Sequence, residues 1–82
     1  KEKMELKCSK ETKPTSLGFV IHKNYKKEPI EILVVGASAV NQAIKAIAFA
    51  NRFYGMKMTI APFVKTIEID GETRHAMCLK VI

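Results

Sequence analysis

Residues 30–54 read IEILVVGASAVNQAIKAIAFANRFY, and the fold turns on how this stretch is divided. Ile30 to Val35 contains one polar residue, Glu31, follows Pro29 and stops at Gly36. A short β-branched run bounded in this way predicts a strand buried on both faces and central in a sheet. Beyond Gly36-Ala37, Ser38 is placed to cap a helix by accepting a hydrogen bond from a first-turn amide. No proline or glycine interrupts the chain from Ala39 to Tyr54. Val40, Ile44 and Ile47 recur at helical spacing as an apolar face, and Ala39, Ala43, Ala46 and Ala50 form a stripe of small side chains beside it. Such a stripe lets the helix axis come close to whatever it packs on. Asn41, Gln42, Lys45 and Arg52 fall on the opposite face, and Gly55 stands where a left-handed C-cap is expected.

Upstream, Met4 to Ser9 alternates apolar and polar residues, the pattern of a half-buried strand. Lys10 to Lys13 is a basic loop, and Pro14 suits the first turn of a helix capped by Thr12 or Lys13. Leu17, Val20, Ile21 and Tyr25 share one face of that helix, with Phe19 beside it. Gly18 costs a helix about 1 kcal/mol relative to alanine unless close packing requires it. Lys23, Lys26 and Lys27 suit the helix C-terminus, and Pro29 forbids continuation. Downstream, Met56 to Phe63 reads as a strand disturbed by Pro62, hence an edge, bend or bulge, and Val64 to Ile69 resumes extended character. Asp70-Gly71 then predicts a tight hairpin turn into the alternation Met77, Leu79, Val81. The order strand, helix, strand, helix, strand, strand, with a right-handed parallel crossover, gives an α+β two-layer sandwich: a βαβαββ chain with a four-stranded mixed sheet and two helices on one face. Residues 1–82 form one domain in this reading; Met4 is the expected natural start, and residues 1–3 carry no functional argument.

The chain has 82 residues, 48% apolar and 27% charged, near the lower size at which one core holds unaided. No apolar run approaches the roughly 20 residues a membrane span needs, and KEKMELKCSK has no hydrophobic signal core, so a cytoplasmic protein without membrane contact is expected. A net charge of +6 favours an anionic partner, although a solvated mixed surface accounts for it equally well. Cys8 and Cys78 are expected as reduced thiols on strands that could be neighbours, and a metal site from Cys8, Cys78, His22 and His75 lacks paired ligand spacing. The turn VVGAS matches neither phosphate-loop pattern, although amides opening the following helix are able to hold an anion. His22 and His75 lie in separate elements, and Glu68, Asp70 and Glu72 share a solvated hairpin, so neither catalysis nor a cofactor is expected. The aromatic residues are mostly assigned to the core, which argues against a base-stacking platform and for contacts to phosphates.

The segments GASAVNQAIKAIAFAN and IAPFVKTIEIDGETRHAMCLKVI resemble the stage V sporulation protein S family, whose members carry a similar glycine turn, an A-[VL]-N-Q-A-[IV]-K-A helix and an I-x-I-D-G-E hairpin. The likeness runs from Met4 to Ile82 and is densest at Val35 to Ala50 and Ile67 to Thr73. It implies a fold like that of the Alba chromatin and RNA-binding proteins, homodimers or a higher assembly, and DNA or RNA binding in the regulation of sporulation. Lys13-Pro14 matches the Lys-Pro that opens the first helix in Alba proteins, where the lysine touches nucleic acid. Gly36 and Asn41-Gln42 depart from basic positions of those proteins. Ile69-Asp70-Gly71-Glu72 is short and acidic where their hairpin is long and basic, so a minor-groove arm is not expected here. The candidate nucleic-acid contacts are Lys10, Lys13, Ser38, Asn41, Gln42, Lys45 and Arg52. The alternative is a protein-interaction or scaffold regulator that has kept the fold and lost nucleic-acid binding.

Overall fold

The computed structural model describes residues 2–82. Its elements are β1 (Met4–Cys8), α1 (Pro14–Asn24), β2 (Ile30–Val34), α2 (Ala37–Tyr54), β3 (Ile60–Ile69) and β4 (Glu72–Val81). They form one four-stranded sheet in the order β1-β2-β4-β3, with β1 parallel to β2 and the other pairs antiparallel. The βαβαββ order, mixed sheet and α+β class are those read from the sequence.

Alternation along β2 sets the two layers. Ile30, Ile32 and Val34 are buried among Leu17, Ile21 and the alanines of α2, which puts both helices on this face of the sheet. On α2 the buried stripe is the small one, Ala39, Ala43, Ala46 and Ala50 with Ile47; Ile44, expected in the apolar face, is 42% exposed. The reason lies at the helix seam. A Cβ placed on Gly18 would stand 2.8 Å from the Ala46 carbonyl oxygen and 3.6 Å from Ala50 Cβ, so α1 and α2 meet nearly backbone to backbone. Only small residues fit at the seam, so Ile44 is carried outward while Ile47 packs in the core beside it. Val20 of α1 is likewise exposed rather than in the core.

Two further expectations, on Ser38 and on the cysteines, are corrected. Ser38 does not cap α2: Gly36 (φ 95°) is the N-cap, the helix starts at Ala37, and no side chain caps the first turn. Lys13, one of the two positions expected, is the N-cap of α1, although no side chain bonds the first turn, and the Thr12 hydroxyl accepts from the Ser9 amide at 2.9 Å. Cys8 and Cys78 are not neighbours, because Cys8 is in register with Val34 on the helix face while Cys78 is in register with Leu33 on the opposite face. Gly55, with φ 63° and ψ 30°, is the left-handed C-cap expected. After it, Asn51 locks the chain by donating to the Met58 carbonyl at 2.9 Å and accepting from the Met58 amide at 2.8 Å.

The hairpin also differs from expectation. Pro62 sits in the edge strand β3 without breaking it, so Ile60 to Ile69 is continuous, and Met56 to Thr59 precede the strand. Asp70 and Gly71 both take positive φ, as a tight hairpin turn requires. Each strand is ten residues long. β2 reaches only Met77, so residues 65–76 project as a two-stranded arm. A long arm is therefore present, contrary to the short hairpin expected, and its tip is acidic. On the helix-free face Lys65 reaches Glu5 at 2.6 Å, joining the edge strands across β4 and β2 and holding the Glu5 carboxyl below its ordinary pKa.

Replacing Gly18 with alanine tests the seam. Alanine is the better helix former, yet its methyl meets a backbone carbonyl that cannot rotate away, so overpacking of about 1–3 kcal/mol outweighs the propensity gain. The expected result is a Gly18→Ala variant with a thermal midpoint several degrees below the parent; an unchanged or raised midpoint would show that the helices have room to separate.

Candidate nucleic-acid interface

Parallel strands finish at the same end of a sheet, and here each finishes into a helix. β1 leads through residues 9–13 into α1, and β2 leads through Val35-Gly36 into α2. Both helix N-termini therefore open at one end of the molecule, and neither has a side-chain cap. The first hydrogen bond of α2 runs from the Val40 amide to the Gly36 carbonyl at 3.2 Å, leaving the earlier amides of that turn to solvent or a ligand.

A cleft of about 540 Å³ lies at this end, walled by Lys7, Cys8, Ser9, Lys10 and Thr12 on one side and by Val35 to Ala39 on the other. Its β1-side wall is held by a compact turn. The Ser9 amide donates to the Thr12 hydroxyl, the Glu11 amide donates to the Ser9 hydroxyl at 3.1 Å, and the Thr12 amide donates to the Ser9 carbonyl at 3.1 Å. Gln42 ties this turn to α2 by donating to the Thr12 carbonyl at 2.9 Å.

These contacts sort the candidate residues. Lys10 and Ser38 face each other across the cleft, and Lys13 caps α1 beside it. Asn41 and Lys45 follow Ser38 at helical spacing on exposed positions of α2. Gln42 is half-buried and its amide nitrogen is committed to Thr12, so its first task is to hold the loop. Arg52 stands apart, fourteen residues or about 21 Å along the helix from Ser38. The sequence reading missed Lys7 and the Ser9–Thr12 turn as parts of the cleft. The spacing Ser9-x-x-Thr12 was the available signal, since hydroxyl side chains at that separation close turns on their own backbone.

Charge reinforces the geometry. Nine of the fourteen cations but only three of the eight acids lie between residues 7 and 57, so the whole excess of +6 falls on the stretch that carries both helices. Among the described residues, ion pairs engage Lys3, Lys65 and Arg74, and no cation from Lys7 to Lys57 takes part in one. The cleft cations are thus uncommitted. Among the described residues there is no group of three or more His, Cys, Asp or Glu side chains that could hold a metal ion. No described helix is long and apolar enough to cross a membrane.

Cys8 lines the cleft but is buried, and its thiol lies 3.4 Å from the Ala39 carbonyl. Burial pushes both the Cys8 and the Cys78 thiols above their ordinary pKa, so each is held in the protonated, unreactive form at neutral pH. Alkylation followed by mass spectrometry should find neither cysteine modified at pH 7.5 in the folded protein and both modified in denaturant. Rapid modification of native Cys8 would show that the cleft opens wider than its walls indicate.

Comparison with known protein families adds the identity of the group. The model of the stage V sporulation protein S family matches residues 4–82, nearly the whole chain, and so includes both helices, the cleft and the projecting arm. This chain therefore belongs to the stage V sporulation protein S family, a group named for its part in sporulation.

Proposed function

We propose that this protein is a nucleic-acid-binding regulator of sporulation or development, acting in the cytoplasm as a homodimer and gripping DNA or RNA mainly through phosphates. The observation that carries the reading is the convergence, at one end of the fold, of Lys7, Lys10 and Lys13 with two uncapped helix N-termini. Helix N-termini and flexible cations are the two groups that recognise phosphate without regard to sequence. Lys10, Lys13 and Ser38 form the centre of the contact, Asn41 and Lys45 extend it along α2, and Gln42 acts by positioning the turn. The resemblance to Alba proteins supports the same assignment through Lys13-Pro14. The projecting hairpin has the reach of a groove-entering arm, but Glu68, Asp70 and Glu72 at its tip repel a phosphate backbone. The protein in this reading is a binding module with no catalytic role.

A second reading, an interaction protein without nucleic-acid affinity, is favoured by the apolar hollow of about 360 Å³ between α2 and the hairpin, lined by Val35, Val40, Val64 and Met77. Its partner would be a protein, and such a complex would survive nuclease during capture from sporulating cells.

Fluorescence anisotropy against short duplex DNA, single-stranded DNA and RNA at several salt concentrations separates the readings. Binding should weaken steeply with salt. A Lys10→Ala, Lys13→Ala double variant should lose affinity and reduce the slope of log K against log salt by about 1.4 to 1.8, the loss of two phosphate contacts. Lys80→Ala, on the helix-free face in register with Glu31, should bind as the parent does. An unaltered slope in the double variant would remove the cleft from the interface, and absence of binding to every nucleic acid would favour the interaction protein.

A further inference from the structure

The opposite end of the helical layer carries a second surface that the cleft does not use. Aromatic side chains expected in the core are instead outside it: Phe19 is 48%, Phe53 60% and Tyr54 39% exposed. They are organised. The His22 ring stacks on Tyr54 with centroids 4.0 Å apart and planes 7° from parallel, Phe19 lies 6.3 Å from Tyr54, and Phe49 stacks with Phe53 at 5.7 Å. Cations surround them. Lys23 Nζ stands 5.7 Å from the centre of the Phe19 ring, and Lys26 and Lys27 wall a hollow of about 310 Å³ with His22, Tyr25 and Met56. Across residues 19–28 and 49–57 there are five cations, Lys23, Lys26, Lys27, Arg52 and Lys57, against the single acid Glu28.

We propose that this aromatic and basic surface at the C-terminal ends of α1 and α2 binds single-stranded nucleic acid by stacking unpaired bases on Phe19, Phe53 and Tyr54, with the surrounding cations on the phosphates. The inference rests on the nucleic-acid reading above and extends it from phosphate contact to a choice of strand form. Two features favour this occupant over an apolar protein face. The uncompensated lysines repel a basic partner and would lose hydration against a purely apolar one, whereas exposed rings interleaved with such cations match a chain that alternates flat bases with negative phosphates. A duplex offers its phosphates but keeps its base faces stacked inside, so only an unpaired strand uses both groups. The rings lie in the C-terminal half of α2, beyond Lys45, and Arg52 stands beside Phe53 in the chain. Arg52, remote from the cleft, finds its place here.

The test compares a labelled oligothymidine single strand with a duplex of the same length, using the parent, Phe19→Ala, Phe53→Ala and Phe53→Trp. All three substitutions are at exposed positions, and thermal melts check that the fold persists. Removing one stacked base contact should weaken single-strand binding about 5- to 150-fold. Duplex affinity should change less than about twofold, because the phosphate contacts are untouched. Phe53→Trp should retain the affinity and report it: the chain has no tryptophan of its own, so quenching of the new indole by the single strand, and not by the duplex, reads stacking directly. Equal losses for both nucleic acids, or none for either, would overturn the stacking proposal. A parent that binds with the expected dependence on salt and on Lys10 and Lys13, while the phenylalanine variants bind single strands as well as it does, would overturn this inference and leave the cleft reading standing. A parent that binds no nucleic acid would defeat both. Dissociation of a dimer by Phe53→Ala, seen in sedimentation, would reassign the surface to contacts between copies of the chain and overturn the proposal.

Discussion

The near contact of Gly18 with the Ala46 carbonyl is the constraint on which the rest of the arrangement depends. It fixes the distance between α1 and α2, and so determines which α2 residues face inward: the alanines pack, while Ile44 and the polar positions are carried to the surface. It also keeps the amino-terminal part of α2 close enough to the β1–α1 loop for Gln42 to reach the Thr12 carbonyl. Without that bond the Ser9–Thr12 turn would lose its side-chain tie to the second helix, and the Cys8 thiol against the Ala39 carbonyl would be left to link the walls of the cleft. A glycine in the helix seam thus organises the charged end of the molecule.

Parallel strands supply the other half of the arrangement. Because β1 and β2 run the same way and both helices return on the same face, the chain places two helix N-termini at one end and two helix C-termini at the other. The two ends differ in what they would offer an anion. At the N-terminal end the bare amides and helix dipoles assist the lysines. At the C-terminal end the dipoles are unfavourable to anions, so lysines and Arg52 must outweigh them, and the adjacent rings add an attraction that does not depend on charge. The helical layer therefore carries cations at both ends, roughly 20 Å apart along α2.

Much of this was legible in the sequence. The central strand, the helix with its glycine C-cap, the Asp70-Gly71 turn and the βαβαββ order each rest on local chemistry that tertiary packing had no reason to override. Errors came where a position is decided by a partner element. Ser38 has a capping side chain but does not use it, because Gly36 already occupies the cap with a backbone conformation open to glycine. Pro62 points to an edge, a bend or a bulge; the structure has the edge, and the strand continues because a proline on the outer edge removes no bond that the sheet needs. The hairpin was judged short from its turn residues, whereas its length is set by pairing that extends past the end of β2, invisible in either strand alone. In the candidate site, Lys10 and Lys13 belong to the loop before α1 and Ser38 to the start of α2, and it is the parallel pairing of β1 and β2 that brings these segments to one end; the internal role of Gln42 and the remoteness of Arg52 likewise follow from contacts and distances that a residue pattern does not contain.

The exposed rings are the clearest case, and the seam explains them. Six aromatic residues in a chain this small would ordinarily fill its core, which is why a stacking surface was not expected. The core is built between a β-branched strand and an interhelical contact made of glycine and alanine, and Tyr25 packs against it only partly buried. The volume between the layers is taken by Ile21, Ile30, Ile32 and Val34, all nearly inaccessible to solvent. Rings on the helices must then flank the seam: Phe19 and Tyr54 gather with His22, and Phe53 stacks on Phe49. Leaving that much aromatic surface in water is unfavourable by the hydrophobic effect alone. The close helix approach that excludes the rings from the core is thus also what makes them available to a partner with flat, apolar faces of its own.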